Sequence, residues 1–166
     1  MFRAIVAHRV RGAWSHLGQR DYDYVLDQFA PRFTHSFAGD HALGGVRHTR
    51  DAQRAWFERL FRLLANVEFT LDDVLVRGWP WRTRVVTLVR VRGTVAGEPY
   101  ENEFVQTLDL RWGRIERIHN LEDTQKLAAA LERLAAAGDD EALAAPITDG
   151  AQLNAPSDLS KVVSGS

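Results

Sequence analysis

Histidine is the side chain that exchanges protons most readily near neutral pH, and His35, His41 and His48 lie close together in the chain, with Asp40 among them. A metal centre would draw its ligands from a helix or loop at recurring intervals. The intervals between His35, Asp40, His41 and His48 match none of these, so no metal is expected. The chain has no cysteine, which removes thiolate nucleophiles, thiolate metal ligands and disulfides together. A second group of interest is a pair of amides in the stretch Tyr100 to Trp112. Residues two apart on a strand share a face, so Tyr100, Asn102, Phe104, Gln106, Leu108, Leu110 and Trp112 form one side. It is apolar and aromatic with two amides set into it. A buried amide is costly without a hydrogen-bond partner. Asn102 and Gln106 therefore either bond to neighbouring strands or trapped water, or orient a ligand.

The elements that must position these residues follow from hydrophobic spacing. Residues 3–18 predict a helix with Val6, Val10, Ala13, Trp14 and Leu17 on one face, ended by Gly18. Asp21 can cap a short second helix carrying Tyr22, Val25, Leu26 and Phe29, which Pro31 is expected to stop. Thr34 to Phe37 suits a short strand with His35 and Phe37 on the same face. Ala38 to His48 is glycine-rich and expected to be irregular. Thr49 caps a third helix whose buried face is Ala52, Trp56, Leu60, Leu63 and Leu64. From Val67 the period becomes two: Val67, Phe69, Leu71 and Leu75 alternate with Glu68, Thr70 and Asp72. A turn at 78–81, a strand at 84–92, a turn at Ala96-Gly97, the long strand 100–112 and a hairpin at Gly113 follow. On the return strand 114–121, Ile118 and Asn120 share one face with Glu122. Ile115, Arg117, His119 and Leu121 share the other. Asp123 caps a last helix lined by Leu127, Leu131 and Leu134.

Helices gathered before an antiparallel run argue an α+β fold. Four long strands would curl into a cone around a pocket, with three helices closing one end. Residues 1–137 are expected to form this domain. Residues 138–166, rich in Gly, Asp, Ala, Pro and Ser and without periodicity, read as a C-terminal extension of low complexity, partly mobile or laid over the surface. A formal net charge of −1 supplies no global field for nucleic acid or an anionic membrane. The tryptophans run beside no basic stripe, so no stacking platform for nucleic acid is expected. No apolar run approaches the ~18–20 residues that cross a bilayer, and Arg3, His8, Arg9 and Arg11 do not suit a signal peptide. A cytoplasmic protein without nucleic-acid or membrane partners is expected. Apolar residues on both faces of strands 83–92 and 114–121 suggest a homodimer through the outer sheet face.

Two segments carry a family resemblance. Phe33-Thr-His-Ser-Phe-Ala-Gly-Asp-His-Ala-Leu-Gly-Gly45 is similar to the His, Gly-x-x-Pro-Leu-x-Gly segment of SnoaL-like chains. Trp112-Gly-Arg-Ile-Glu-Arg-Ile-His-Asn-Leu-Glu-Asp-Thr124 is similar to their Gly-Lys-Ile … Asp ending. Together with the element order over residues 3–137, they resemble the SnoaL-like polyketide cyclases and ketosteroid isomerase-like proteins of the nuclear transport factor 2-like superfamily. The resemblance implies a curved sheet around an apolar pocket, often a homodimer, and no cofactor. It implies a small hydrophobic, oxygenated ligand that is polyketide-, steroid- or terpenoid-like. The reaction would be an isomerisation, cyclisation or dehydration by proton transfer, with a non-catalytic binding protein or a dimerisation module as alternatives.

Carried over residue by residue, the isomerase base falls on the strand of His35 or just past it. It falls at Asp40 in one register and at Phe37 in another. His35 is then the expected acid or base, paired with Asp40. Gln106 falls where the isomerase has an oxyanion-donating carboxylic acid, a case of a neutral acid as hydrogen-bond donor. The Gly-Arg-Ile turn sends Ile118 and Asn120 inward. Asn120 stands where related enzymes have an aspartate, and an asparagine cannot act as a base. The oxyanion tyrosine falls at about Ala13 or Trp14, of which Trp14 offers an indole N–H. His41, Trp56, Tyr100, Asn102 and Phe104 complete the expected lining.

Overall fold

The helix starts expected from the sequence are visible as capping bonds in the computed structural model, which describes residues 1–149. The chain runs α1 (Phe2–Gly18), α2 (Tyr22–Leu26), β1 (Phe29–Phe37), β2 (Gly45–Arg47), α3 (Arg50–Leu63), β3 (Val67–Trp79), β4 (Arg82–Val95), β5 (Glu98–Arg111), β6 (Arg114–Glu122) and α4 (Thr124–Ala136). The Asp21 carboxylate accepts from the Tyr24 N–H, Thr49 accepts from Ala52, and Asp123 accepts from Gln125 and Lys126. Each satisfies N–H groups that a first helical turn leaves without a partner.

All six strands join one curved sheet in the order β2-β1-β6-β5-β4-β3. β1 and β6 are parallel, and the other neighbours are antiparallel. Helices α1, α2 and α3 bury their apolar stripes against the concave face. Val10, Leu17, Leu26, Trp56 and Leu60 meet Phe33, Val85, Val89, Phe104 and Ile118 in one hydrophobic core. Helix α4 adds Leu127, Ala130 and Leu131 at one end. The expected α+β architecture is present.

Several local expectations are corrected. Helix α2 ends at Leu26, and Pro31 lies inside β1, where it is exposed. The ladder with β6 is interrupted between Phe29 and Thr34, so the missing proline N–H breaks no regular pairing there. The segment 38–48 is not wholly irregular: Gly45–Arg47 pairs with β1 and raises the strand count to six. The pairing of β3 with β4 shifts between Leu71 and Asp73. This bulge reverses the alternation, so Val74 is buried and Leu75 is exposed. A second shift, between Asp109 and Leu110 on β5, turns Ile115 inward with Ile118. Trp112 leaves the inward face altogether, because it occupies the β5–β6 turn with φ of 51°.

Residues beyond α4 pack back on the domain. A 3-10 turn at Asp140–Leu143 brings Glu141 to Arg59 and Arg62 of α3. Further on, the Ile147 carbonyl accepts from Arg47. Asp149 accepts from the backbone N–H groups of His48 and Thr49 and from the Thr49 hydroxyl. Gly45 has φ of 90°, and an added Cβ would come within 2.7 Å of Thr148. The returning segment crosses β2 at the one point where the backbone carries no side chain. The remainder of the 138–166 extension, including Leu153, lies outside the described residues.

Candidate functional site

The helices do not fill the concavity of the sheet. A cavity of about 120 Å³ remains, walled by aromatic and aliphatic side chains such as Trp14, Leu17, Phe29, Phe57, Phe69 and Phe104. Ring contacts order this wall: Trp14 packs on Phe104 with centroids 5.9 Å apart, and Phe69 meets Phe104 at 6.5 Å. At the far end Arg9 donates to the Gln28 side chain at 2.6 Å in an exposed bond. Both residues line the cavity, beside Gly113.

Strand register places a row of polar side chains across this apolar surface. Thr87 lies opposite Gln106, and Gln106 opposite Asn120. Asn120 in turn pairs with Phe37 of β1. Gln106 and Asn120 both line the cavity. Asn120 Oδ1 is buried without a hydrogen-bond partner among the described residues, as is Thr87 Oγ1. Thr87 lies outside the cavity lining, whereas Asn120 Oδ1 is an unpartnered buried acceptor in the wall, a group that a ligand would satisfy.

His35 is 1% exposed and lies against the edge of Trp56, with centroids 4.7 Å apart. Its Nδ1 donates to Gln53 Oε1 at 2.6 Å, and its Nε2 accepts from Asn120 Nδ2 at 3.0 Å. Burial first, and then the Arg47 guanidinium, push the imidazole down to about 3, against a smaller opposing effect of the Gln53 bond. The ring is neutral at any ordinary pH, with both nitrogens engaged. Its partners are Gln53 and Asn120. Asp40 stands exposed in the 38–44 loop, outside the cavity lining. His41 is half-buried in the same loop, where its Nδ1 accepts from Leu43 N–H and its ring meets Phe37 edge-on. It too lies outside the lining.

Trp14, Trp56, Tyr100, Phe104, Gln106, Ile118, Asn120 and His35 are brought together around the cavity. Asn102 is buried just behind it. Its amide N–H groups reach Tyr100 Oη at 3.1 Å, Glu122 Oε2 at 3.3 Å and the Asp123 carbonyl at 3.2 Å, while its Oδ1 accepts from Glu103 N–H. It is a satisfied amide that braces two cavity residues.

One of those is Glu122, which the sequence reading placed on the inward face and gave no role. It lines the cavity, and its Oε1 is buried without a partner among the described residues. Burial, with Asp123 adding to it, raises its carboxyl from 4.5 to about 8. Burial likewise holds the Tyr100 phenol up at about 12. A neutral carboxylic acid at the wall of an apolar cavity can donate a proton to a substrate oxygen or, once ionised, remove one from carbon. Gln53 was also missed. It is wholly buried, and its helical spacing with Trp56, Phe57 and Leu60 could have revealed it. Arg47 is fully buried, with its guanidinium 4.9 Å from the Trp56 ring and bonds to the Gly44, Gly45 and Ile147 carbonyls. No pattern in the sequence marks it. Among the described residues no three His, Asp or Glu side chains are placed to hold a metal ion, and no helix is long and apolar enough to cross a membrane.

The same architecture recurs in solved structures. An NTF2-like protein of unknown function from Burkholderia pseudomallei superposes with a TM-score of 0.67 at 22% identity, covering 75% of this chain and 95% of that one. TerC, co-crystallised with polyporic acid, gives a TM-score of 0.66 at 18% identity, over 76% of this chain and 98% of its own. A proposed polyketide cyclase from Xanthomonas campestris pv. campestris gives 0.57 at 19% identity, over 77% and 97%. Likeness at this level of identity is likeness of fold. No curated protein matches the sequence. The family model of the SnoaL-like domain matches residues 10–118, which include α2, α3, β1 to β5, the second half of α1 and the first part of β6. With the fold and this match in agreement, the chain belongs to the SnoaL-like domain family.

Proposed function

We propose that the protein holds a small hydrophobic, oxygenated molecule in the cavity and moves a proton on it, as an isomerase, cyclase or dehydratase without a cofactor. The observation that carries this is Glu122: a carboxyl raised to about 8, with an unpartnered oxygen, in the wall of a mainly apolar cavity. Carboxyl groups tuned this way are matched to proton transfer near neutral pH. Glu122 and Asn120 are two residues apart on β6, so their side chains share the face at a spacing of roughly 6.6 Å. A carbonyl group held by Gln106 or a hydroxyl donating to Asn120 Oδ1 would lie within reach of the carboxyl. In an isomerisation Glu122, in its ionised form, would take a proton from a carbon next to the carbonyl and return it to another, with no net proton change. His35 then acts through Asn120, as a positioning residue, because it is neutral and tied at both nitrogens. TerC with polyporic acid supports the reading that this fold can hold a small molecule.

Cavity size narrows the ligand. An apolar cavity of about 150 Å³ accommodates a benzene ring, and this one measures about 120 Å³. A single-ring enone or phenol fits this scale with modest side-chain movement. A fused polycycle would require a larger displacement of the wall. The alternative is a binding protein without catalysis, favoured by the complete engagement of His35. The test is a panel of monocyclic enones and phenols, scored for thermal stabilisation and for deuterium uptake from D2O into the ligand. Uptake that falls ~10²–10⁴-fold in Glu122→Gln, with binding retained, supports proton transfer. Binding without uptake by any ligand leaves the binding protein. An absence of binding contradicts both.

A further inference from the structure

Three indoles project from one end of the sheet. Trp79, Trp81 and Trp112 are 65%, 54% and 69% exposed. Trp79 and Trp81 flank the β3–β4 turn, with ring centroids 5.8 Å apart and planes within 5°. Trp112 sits in the β5–β6 turn, 6.3 Å from Trp81. The Trp112 backbone N–H donates to the Pro80 carbonyl at 2.8 Å, which ties the two tips together. The positive φ of Trp112 is a conformation that bulky residues rarely adopt. Three indoles in solvent add nothing to the core, and contiguous exposed apolar surface of this kind marks an interaction site.

The surround is basic. Arg77, Arg82 and Arg111 are exposed beside the indoles, and no described carboxylate lies within ion-pair distance of them. Asp109 is engaged by Arg84 and Arg117, with Arg82 also near enough to act on it, and Glu116 shares the cleft, so arginines outnumber carboxylates there four to two. The net charge of −1 thus averages over a locally positive tip. The cavity reaches the same end, where Gly113 follows Trp112 and Arg9 Nη1 approaches Gly113.

We infer that this tryptophan–arginine tip docks the protein on an anionic lipid surface. Indole rings settle at the headgroup level of a bilayer, with an apolar body and a polar N–H, and unpaired guanidinium groups beside them meet lipid phosphates. A second copy of the chain is a poorer occupant, because two such tips face to face would set arginine against arginine. The sequence reading expected no membrane partner from the overall charge; folding gathers the charge that the average hides. A bilayer-dissolved ligand would meet the cavity at the Arg9–Gln28 end. That last step rests on the small-molecule function proposed above, whereas the docking does not.

The test is co-sedimentation of the full chain with phosphatidylcholine vesicles, with and without phosphatidylglycerol, together with tryptophan emission. The protein should partition onto the anionic vesicles only, with a blue shift, and release as salt is raised. The double variants Trp81→Ala/Trp112→Ala and Arg82→Glu/Arg111→Glu should each lose about tenfold or more in partition. These positions are exposed, so circular dichroism and melting should stay unchanged. No partition by the wild type, partition untouched by both variants, or a tip-dependent dimer in light scattering would each overturn the inference. Ligand binding measured without vesicles reports on the cavity alone, so the two failures are distinguishable.

Discussion

Glu122 ionises only near pH 8, and His35 stays neutral down to about pH 3, so the two buried groups act on stability in opposite directions. Unfolding returns the carboxyl to about 4.5 and the imidazole to 6.5. Between pH 4.5 and 8 the folded state holds a proton on Glu122 that the unfolded state has released, and stability falls as pH rises through this window. Between 6.5 and 3 the unfolded state binds a proton that buried His35 refuses, so stability falls as pH drops. The two slopes oppose each other between 4.5 and 6.5, where their combined contribution should be greatest. Urea unfolding across pH 4–9 should show this dome. Glu122→Gln should flatten its alkaline side, and His35→Gln its acid side. A profile unchanged by either variant would contradict the assigned burial. The inward position of Glu122 was legible from alternation with Ile118 and Asn120. Its raised carboxyl was not, because desolvation depends on Leu127 and the rest of the wall, which only the fold assembles.

The helices and long strands were legible because their apolar residues repeat at 3.6 or 2, and Asp21, Thr49 and Asp123 announce helix starts. The bulges at Asp72 and Glu116 were not, since one extra residue reverses a strand face without any mark in composition. The segment 139–149 does lie over the surface, one of the two courses expected for it, but its particular contacts were not legible, because most are polar, with Ala142 and Ile147 adding apolar contact. Glu141 meets two arginines, Ile147 supplies a carbonyl to buried Arg47, and Asp149 caps the entry to α3. Apolar periodicity cannot report such docking. Ending the chain at Gly138 should therefore lower stability by about 2–4 kcal/mol relative to a chain ending at Asp149, since buried Arg47 loses an acceptor. For a chain of this size that is roughly 5–15 °C in melting temperature. The single change Asp149→Ala should cost about 1 kcal/mol, since the His48 and Thr49 N–H groups lose their acceptor. Calorimetry showing identical melting for both end points would mean that the segment contributes nothing.

At the scale of the molecule, the sheet has two apolar faces. The concave one is covered by helices. On the outer one Leu75 lies opposite Val86, Leu88 opposite Val105, and Val105 opposite Leu121. Leu75, Leu88 and Leu121 are 56%, 42% and 50% exposed, a contiguous patch that a monomer would leave in water. A stable protein pair buries about 1,200–2,000 Å² in total, and this face is where the expected homodimer would form. Light scattering should give twice the 18.7 kDa chain mass. Leu88→Glu should return the monomer with its circular dichroism unchanged. A monomeric wild type at micromolar concentration would contradict the dimer and leave the cavity unaffected.

The proposed chemistry needs a cavity carboxyl tuned for proton transfer. The most direct measurement is a carbon-13 NMR titration of the glutamate side-chain carboxyls in the folded protein. One resonance should titrate near pH 8 and vanish in Glu122→Gln, and a ligand that hydrogen-bonds to the neutral acid should move its midpoint upward. If every glutamate carboxyl titrates below about 5, near the ordinary value of the side chain, Glu122 is solvated and the proposed chemistry has no acid to perform it.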